Sequence, residues 1–117
     1  MNIDPVTAAV VAVAGWFILR KVLKGGKVAQ NVVMEKIKAG AQIVDVRSPE
    51  EFRDGFYPGA VNIPVNELPR RLGELKKEKA VVLYCASGAR SGMAARVLKQ
   101  AGYAEVLNAG GLGDMPR

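Results

Sequence analysis

The chain has 117 residues, with 17 Lys and Arg against 11 Asp and Glu, one Cys and no His, for a net charge of +6. That length holds one domain of ordinary size. The absence of His removes any Ser-His or Cys-His couple and any imidazole base, and a single Cys removes an internal disulfide and a Cys/His zinc site, so neither a metal nor a cofactor is expected.

The basic residues are unevenly placed. Residues 1–24 carry Arg20, Lys21 and Lys24 against Asp4 alone. Beyond them, basic and acidic side chains are interspersed, without the aromatic-plus-basic stripe that marks nucleic-acid binders. The positive balance suits small anions or a negatively charged membrane surface, and nucleic acid is not expected as a partner.

Residues 6–19, VTAAVVAVAGWFIL, are uncharged and apolar. As a helix they span about 21 Å against about 30 Å of hydrocarbon; residues 3–23 reach about 31 Å if Arg20 and Lys21 extend to the headgroups. Trp16 sits near the basic end, where an interfacial aromatic belongs. Three readings are open: an uncleaved anchor, a secretory signal, and a soluble or interfacial helix. A signal carries its charges before the apolar core, whereas here they follow it and no small-x-small cleavage site comes after. A soluble domain would have to wrap a segment that is apolar on every face. The expectation is a hydrophobic N-terminal helix and linker over residues 1–27, with residues 3–23 in a lipid bilayer. The cluster Arg20, Lys21, Lys24 and Lys27 then leaves the rest cytoplasmic. A periplasmic location after signal cleavage is the alternative. Gly25-Gly26 supplies a hinge.

Residues 28–117 alternate strands with helices. Val32, Val33 and Ile37 predict a helix over residues 29–38 that Gly40 closes. Residues 43–47 read as a short buried strand. Ser48 then caps a helix, Pro49 suits its first position, and Glu51 completes a capping box. Gly55 and Pro58-Gly59 mark a turn, residues 60–63 a strand, and Asn66 the cap of a helix running to residue 75. Residues 80–84, AVVLY, are the strongest strand and lead into Cys85. A loop of small residues follows over 86–89, then a helix over 91–101 ended by Gly102, and a last strand over 105–108. This order predicts an α/β fold: a parallel sheet of four or five short strands with helices on both faces.

Cys85 is the candidate nucleophile. In open α/β sheets ligands bind beyond the carboxyl ends of strands, and a loop entering a helix there presents converging N–H groups reinforced by the helix dipole. Arg90 adds positive charge. Each effect favours thiolate over thiol, so the Cys85 pKa should be depressed without a His base.

The segment Cys85-Ala86-Ser87-Gly88-Ala89-Arg90-Ser91 resembles the active-site loop of rhodanese-type sulfurtransferases. Ile43-Val44-Asp45-Val46-Arg47 with Glu50-Glu51-Phe52 is similar to that family's early strand and following helix. Gly55 with Pro58-Gly59-Ala60-Val61-Asn62-Ile63-Pro64 resembles its Gly-His-x-Pro-Gly-Ala-x-Asn segment, and Asn108-Ala109-Gly110-Gly111-Leu112 its closing turn. The short form is similar to small single-domain rhodaneses of the phage-shock type. The resemblance implies that Cys85 takes the outer sulfur of thiosulfate as a persulfide and passes it to a thiophilic acceptor such as cyanide or a thiol. The N–H groups of Ala86, Ser87, Gly88, Ala89 and Arg90 would then bind the anionic donor, with the Arg90 side chain assisting the sulfonate. Asp45 and Arg47 are expected to support the site structurally. Phe56 stands where the family often has His, which bears on local packing more than on chemistry.

Two rivals differ in kind. The related phosphatases and arsenate reductases use Cys-x5-Arg loops, whereas Arg90 gives Cys-x4-Arg, one residue short for a phosphate ring. A membrane-tethered carrier or regulatory module with little turnover would keep the same Cys85 loop.

Overall fold

The structure, a computed structural model, describes residues 26–117. The expected membrane span over residues 3–23 lies outside the described residues. Among those described, no helix is long and apolar enough to cross a membrane.

The chain runs α1 (Gln30–Lys38), β1 (Gln42–Asp45), α2 (Pro49–Arg53), β2 (Val61–Asn62), β3 (Val81–Cys85), α3 (Ala89–Gln100) and β4 (Val106–Gly111). The four strands form one sheet in the order β2-β1-β3-β4, with every pairing parallel. Central β3 is wholly buried. Its side chains alternate between two cores, as the two-residue period of a strand requires. Val81, Leu83 and Cys85 join Ala94, Ala95 and Leu98 of α3 on one face. Val82 and Tyr84 join Val33 of α1, Leu107 and Met115 on the other.

The short helix α2 begins as its sequence predicts. Ser48 Oγ accepts from Glu51 N at 3.2 Å, and Glu51 Oε1 accepts from Ser48 N at 3.0 Å. The predicted helix over residues 66–75 does not form. Two 3-10 turns, Leu68–Arg70 and Leu72–Glu74, replace it. Pro69 has no N–H and disfavours α geometry at Leu68, and Gly73 weakens any continuation. The backbone closes i→i+3 bonds instead, from Arg71 N to Leu68 O and from Leu75 N to Leu72 O, both 3.0 Å. Leu68 and Leu75 still enter the core, and the Tyr103 hydroxyl donates to Leu72 O at 2.7 Å.

Several boundaries shift: β1 stops at Asp45 rather than at residue 47, β2 is only Val61–Asn62 rather than residues 60–63, and β3 runs one residue later than predicted. The last helix starts at Ala89 rather than at residue 91, and β4 continues to Gly111 rather than stopping at residue 108. Between β3 and β4 the register slips: Leu83 faces Asn108 but Cys85 faces Gly111. One extra residue in β4 absorbs the slip as a bulge, and Gly110 takes a φ of 96°. The bulge is what sets Gly111 beside Cys85.

Candidate active site

Cys85 ends β3, with its side chain on the α3 face and 1% exposed. Ala86, Ser87 and Ala89, by contrast, are exposed, so the sulfur lies beneath an open loop. Gly88 turns the chain into α3 with a φ of 101°. An L side chain is strained there, and the turn aims the Gly88 N–H at Cys85 Sγ, 2.9 Å away. Gly111 is constrained by proximity instead: a Cβ at that position would collide with the Ala86 carbonyl oxygen.

Beneath the loop, Ser91 and Asn108 form a polar bracket. The Ser91 hydroxyl is within hydrogen-bond reach of two acceptors, Asn108 Oδ1 at 2.7 Å and Cys85 Sγ at 3.4 Å, and can turn its single proton to either. The same Oδ1 accepts from Gly110 N at 2.9 Å, and Asn108 Nδ2 donates to Gly88 O at 3.2 Å. One amide therefore ties the bulge of β4 to the start of α3. Burial pushes the Cys85 thiol up. Hydrogen bonds from the Ser91 hydroxyl and from the N–H groups of Ser91, Ser87 and Gly88 act against burial and leave the thiol below its ordinary pKa.

Arg90, expected to add positive charge at the loop, is paired with a carboxylate. Its Nη1 and Nη2 donate to Glu51 Oε1 and Oε2 at 2.7 and 3.0 Å. Hydrogen bonding from Arg90, with further bonding at Ser48, holds the Glu51 carboxyl at about 2. Asp45 and Arg47 form a second pair, buried at the end of β1. Arg47 Nη2 lies 2.7 Å from Asp45 Oδ2 and also donates to Gly55 O at 2.6 Å. The Arg47 guanidinium lies 5.7 Å from the centroid of the Tyr84 ring, on the sheet face away from Cys85. This pair fixes the chain after α2. Phe56, in the position where His was noted as absent, stacks on Phe52 with ring centroids 4.3 Å apart.

The structure thus brings Cys85, Ser87, Gly88 and Arg90 around one loop. Three participants were not singled out from the sequence. Glu51 was read as a helix cap and as part of the family-like stretch Glu50-Glu51-Phe52, without a role at the site. Ser91 was named as the last residue of the loop segment but was given no role there. Asn108 reaches the loop only through the parallel register of β3 and β4, which no local pattern encodes.

Known proteins share this fold. The rhodanese-like domain family matches residues 29–112. The chain belongs to the rhodanese-like family. It is 40% identical over 74 residues to the Escherichia coli thiosulfate sulfurtransferase PspE, covering 62% of this chain and 71% of that protein. It is 46% identical over 66 residues to a sulfurtransferase of Allochromatium vinosum, covering 56% of this chain and 62% of that one. A solved structure described as a rhodanese with anions from E. coli superposes with a TM-score of 0.62 at 40% identity, over 66% of this chain and 95% of that one. Relatives of this chain therefore include proteins named for sulfur transfer.

Proposed function

We propose that the protein is a sulfurtransferase that moves sulfane sulfur from thiosulfate, or a similar donor, to cyanide or a thiol through a persulfide on Cys85. In the first half-reaction the Cys85 thiolate attacks the outer sulfur of thiosulfate. The Cys–S bond forms, the S–S bond of the donor breaks, and sulfite leaves with the bonding pair. In the second, cyanide attacks the terminal sulfur of the persulfide, thiocyanate leaves, and the Cys85 thiolate returns. The observation that carries this reading is the Gly88 N–H donating to Cys85 Sγ at 2.9 Å beneath an exposed loop. Such a donor favours the anionic sulfur before transfer, and a loop of this kind can solvate the charge of a terminal persulfide sulfur after it.

Intact-mass measurement after incubation with thiosulfate tests it. A gain of about 32 Da on wild type, absent from Cys85→Ser and removed by cyanide, supports the persulfide. No gain on a folded wild-type chain defeats it. The second reading is a tethered sulfur carrier or regulatory module with little turnover. It draws on Arg90, which is held by Glu51 rather than turned to a donor. Persulfide formation without steady-state thiocyanate release would favour it. We further propose that residues 3–23 anchor the domain in a membrane with the domain on the cytoplasmic side, from the basic residues that follow the apolar run. Resistance of the membrane-bound chain to carbonate extraction, with the domain shielded from protease in intact cells, is the expected result. Release by carbonate would remove the anchor.

A further inference from the structure

The loop contains one cation, Arg90, and that cation is already committed. Its two terminal nitrogens engage both oxygens of Glu51, the fork-to-fork geometry that guanidinium and carboxylate favour. Glu51 is itself held in place, because Oε1 also accepts the Ser48 N–H that caps α2. The carboxylate is therefore held toward the start of its own helix as well as by Arg90. Both side chains are about one-third exposed, 34% for Arg90 and 36% for Glu51. The pair thus lies at the rim of the protein, in reach of solvent and ions. Charge on Cys85 is felt at Arg90.

We propose that Glu51 is a specificity-determining residue that withholds Arg90 from the sulfur donor and so disfavours doubly charged donors relative to singly charged ones. With Arg90 neutralised by its partner, the loop offers a donor backbone N–H groups and the end of α3. A singly charged donor is served by these alone. A dianion such as thiosulfate carries one further charge, and the loop's own cation is already engaged by the Glu51 carboxylate. The inference rests on the sulfur-transfer reading and concerns the donor half-reaction only.

Two donors that differ by one negative charge separate the effect from general damage. Thiosulfate releases sulfite. Methanethiosulfonate, a monoanion, reacts in the same way: the Cys85 thiolate takes the outer sulfur and methanesulfinate leaves with the bonding pair. The readout is the ratio of kcat/KM for thiosulfate to kcat/KM for methanethiosulfonate on one preparation of the full chain. That ratio does not depend on how much of the sample is folded. Glu51→Gln keeps an oxygen for the Ser48 N–H while removing the charge that binds Arg90. It should raise the ratio about fivefold, mainly through a lower KM for thiosulfate, which is the scale of an exposed ion pair. Arg90→Gln leaves the carboxylate uncompensated and should lower the ratio. A ratio unmoved by both variants overturns the proposal. So does a ratio that falls in Glu51→Gln, which would mean that Glu51 positions Arg90 for the dianion instead of withholding it. Failure of the wild-type chain to accept sulfur from either donor defeats the sulfur-transfer reading itself, and is seen before any variant is compared.

Discussion

Two Arg–carboxylate pairs, whose acids Asp45 and Glu51 lie close together in sequence, do different work. Asp45–Arg47 is buried, with side chains 0% and 9% exposed. Glu51–Arg90 sits at the rim, one-third exposed on both sides. The buried pair is closed on itself and on the backbone: Arg47 reaches Gly55 O, and Asn62 Nδ2 donates to the carbonyls of Asp45 and Arg47 at 3.0 Å each. It joins β1, β2 and the turn after α2 into one unit. The rim pair links α2 to the first turn of α3 and leaves its charges within reach of solvent. Equal chemistry thus yields structure where water is excluded and adjustable electrostatics where it is not.

Cutting the buried pair is the most severe test of that contrast. Asp45→Ala strands the Arg47 guanidinium and should cost about 3–5 kcal/mol in urea denaturation, with little dependence on salt. A loss below about 1 kcal/mol would place it with the rim pair. Next comes the loop that the rim pair borders. Gly88→Ala forces a side chain into the left-handed region and should cost about 1–2 kcal/mol, while slowing persulfide formation more than it lowers stability. Intact stability with full activity would mean the N–H geometry at Sγ is not needed.

The rim pair itself should matter least to stability. Glu51→Gln should cost less than about 1 kcal/mol and the loss should shrink in high salt. The Glu51 carboxyl titrates at about 2 in the folded chain against 4.5 ordinarily. Its contribution to stability is therefore complete above about pH 4.5 and is lost as the pH falls toward 2. Acid titration of wild type and Glu51→Gln should converge over that window and differ above it; parallel curves would contradict the assignment. A last comparison isolates the sulfur from both pairs. Ser91→Ala removes a donor that favours the thiolate, so the pH at which iodoacetamide alkylates Cys85 should rise. An unchanged profile would leave the backbone N–H groups as the whole cause.

Most of the architecture was legible from local pattern. The strand leading into Cys85, the capping box at Ser48 and the helix closed at Gly40 each rest on signals contained within a few residues, and each is present. The misread segment was 66–75, where the helix expected from Asn66 as its cap is overruled by Pro69 and Gly73. Apolar spacing shows which residues are buried, but the backbone chemistry between them decides how. The site was legible in its nucleophile and loop and obscure in its partners. Glu51 already had a complete local explanation as a cap, which hid its second role. Asn108 is brought to the loop by strand register, and register depends on the whole sheet.

The bulge and its Asn108 have one more consequence, a mechanical one. The first strand-like contact of the described chain is the Lys27 bridge to Asn108, and Val28 N donates to Asn108 O at 2.7 Å. Lys27 Nζ also grips Asp114 Oδ1 at 3.0 Å, and Asp114 Oδ2 accepts from Gly111 N at 2.8 Å. A pull on the segment preceding Lys27 is therefore borne by β4 at the residue whose side chain braces Ser91 and Gly88. The start of the described chain and the support of the sulfur loop therefore meet at Asn108, whose backbone holds Val28 while its side chain braces the loop, so strain at the one is passed to the other.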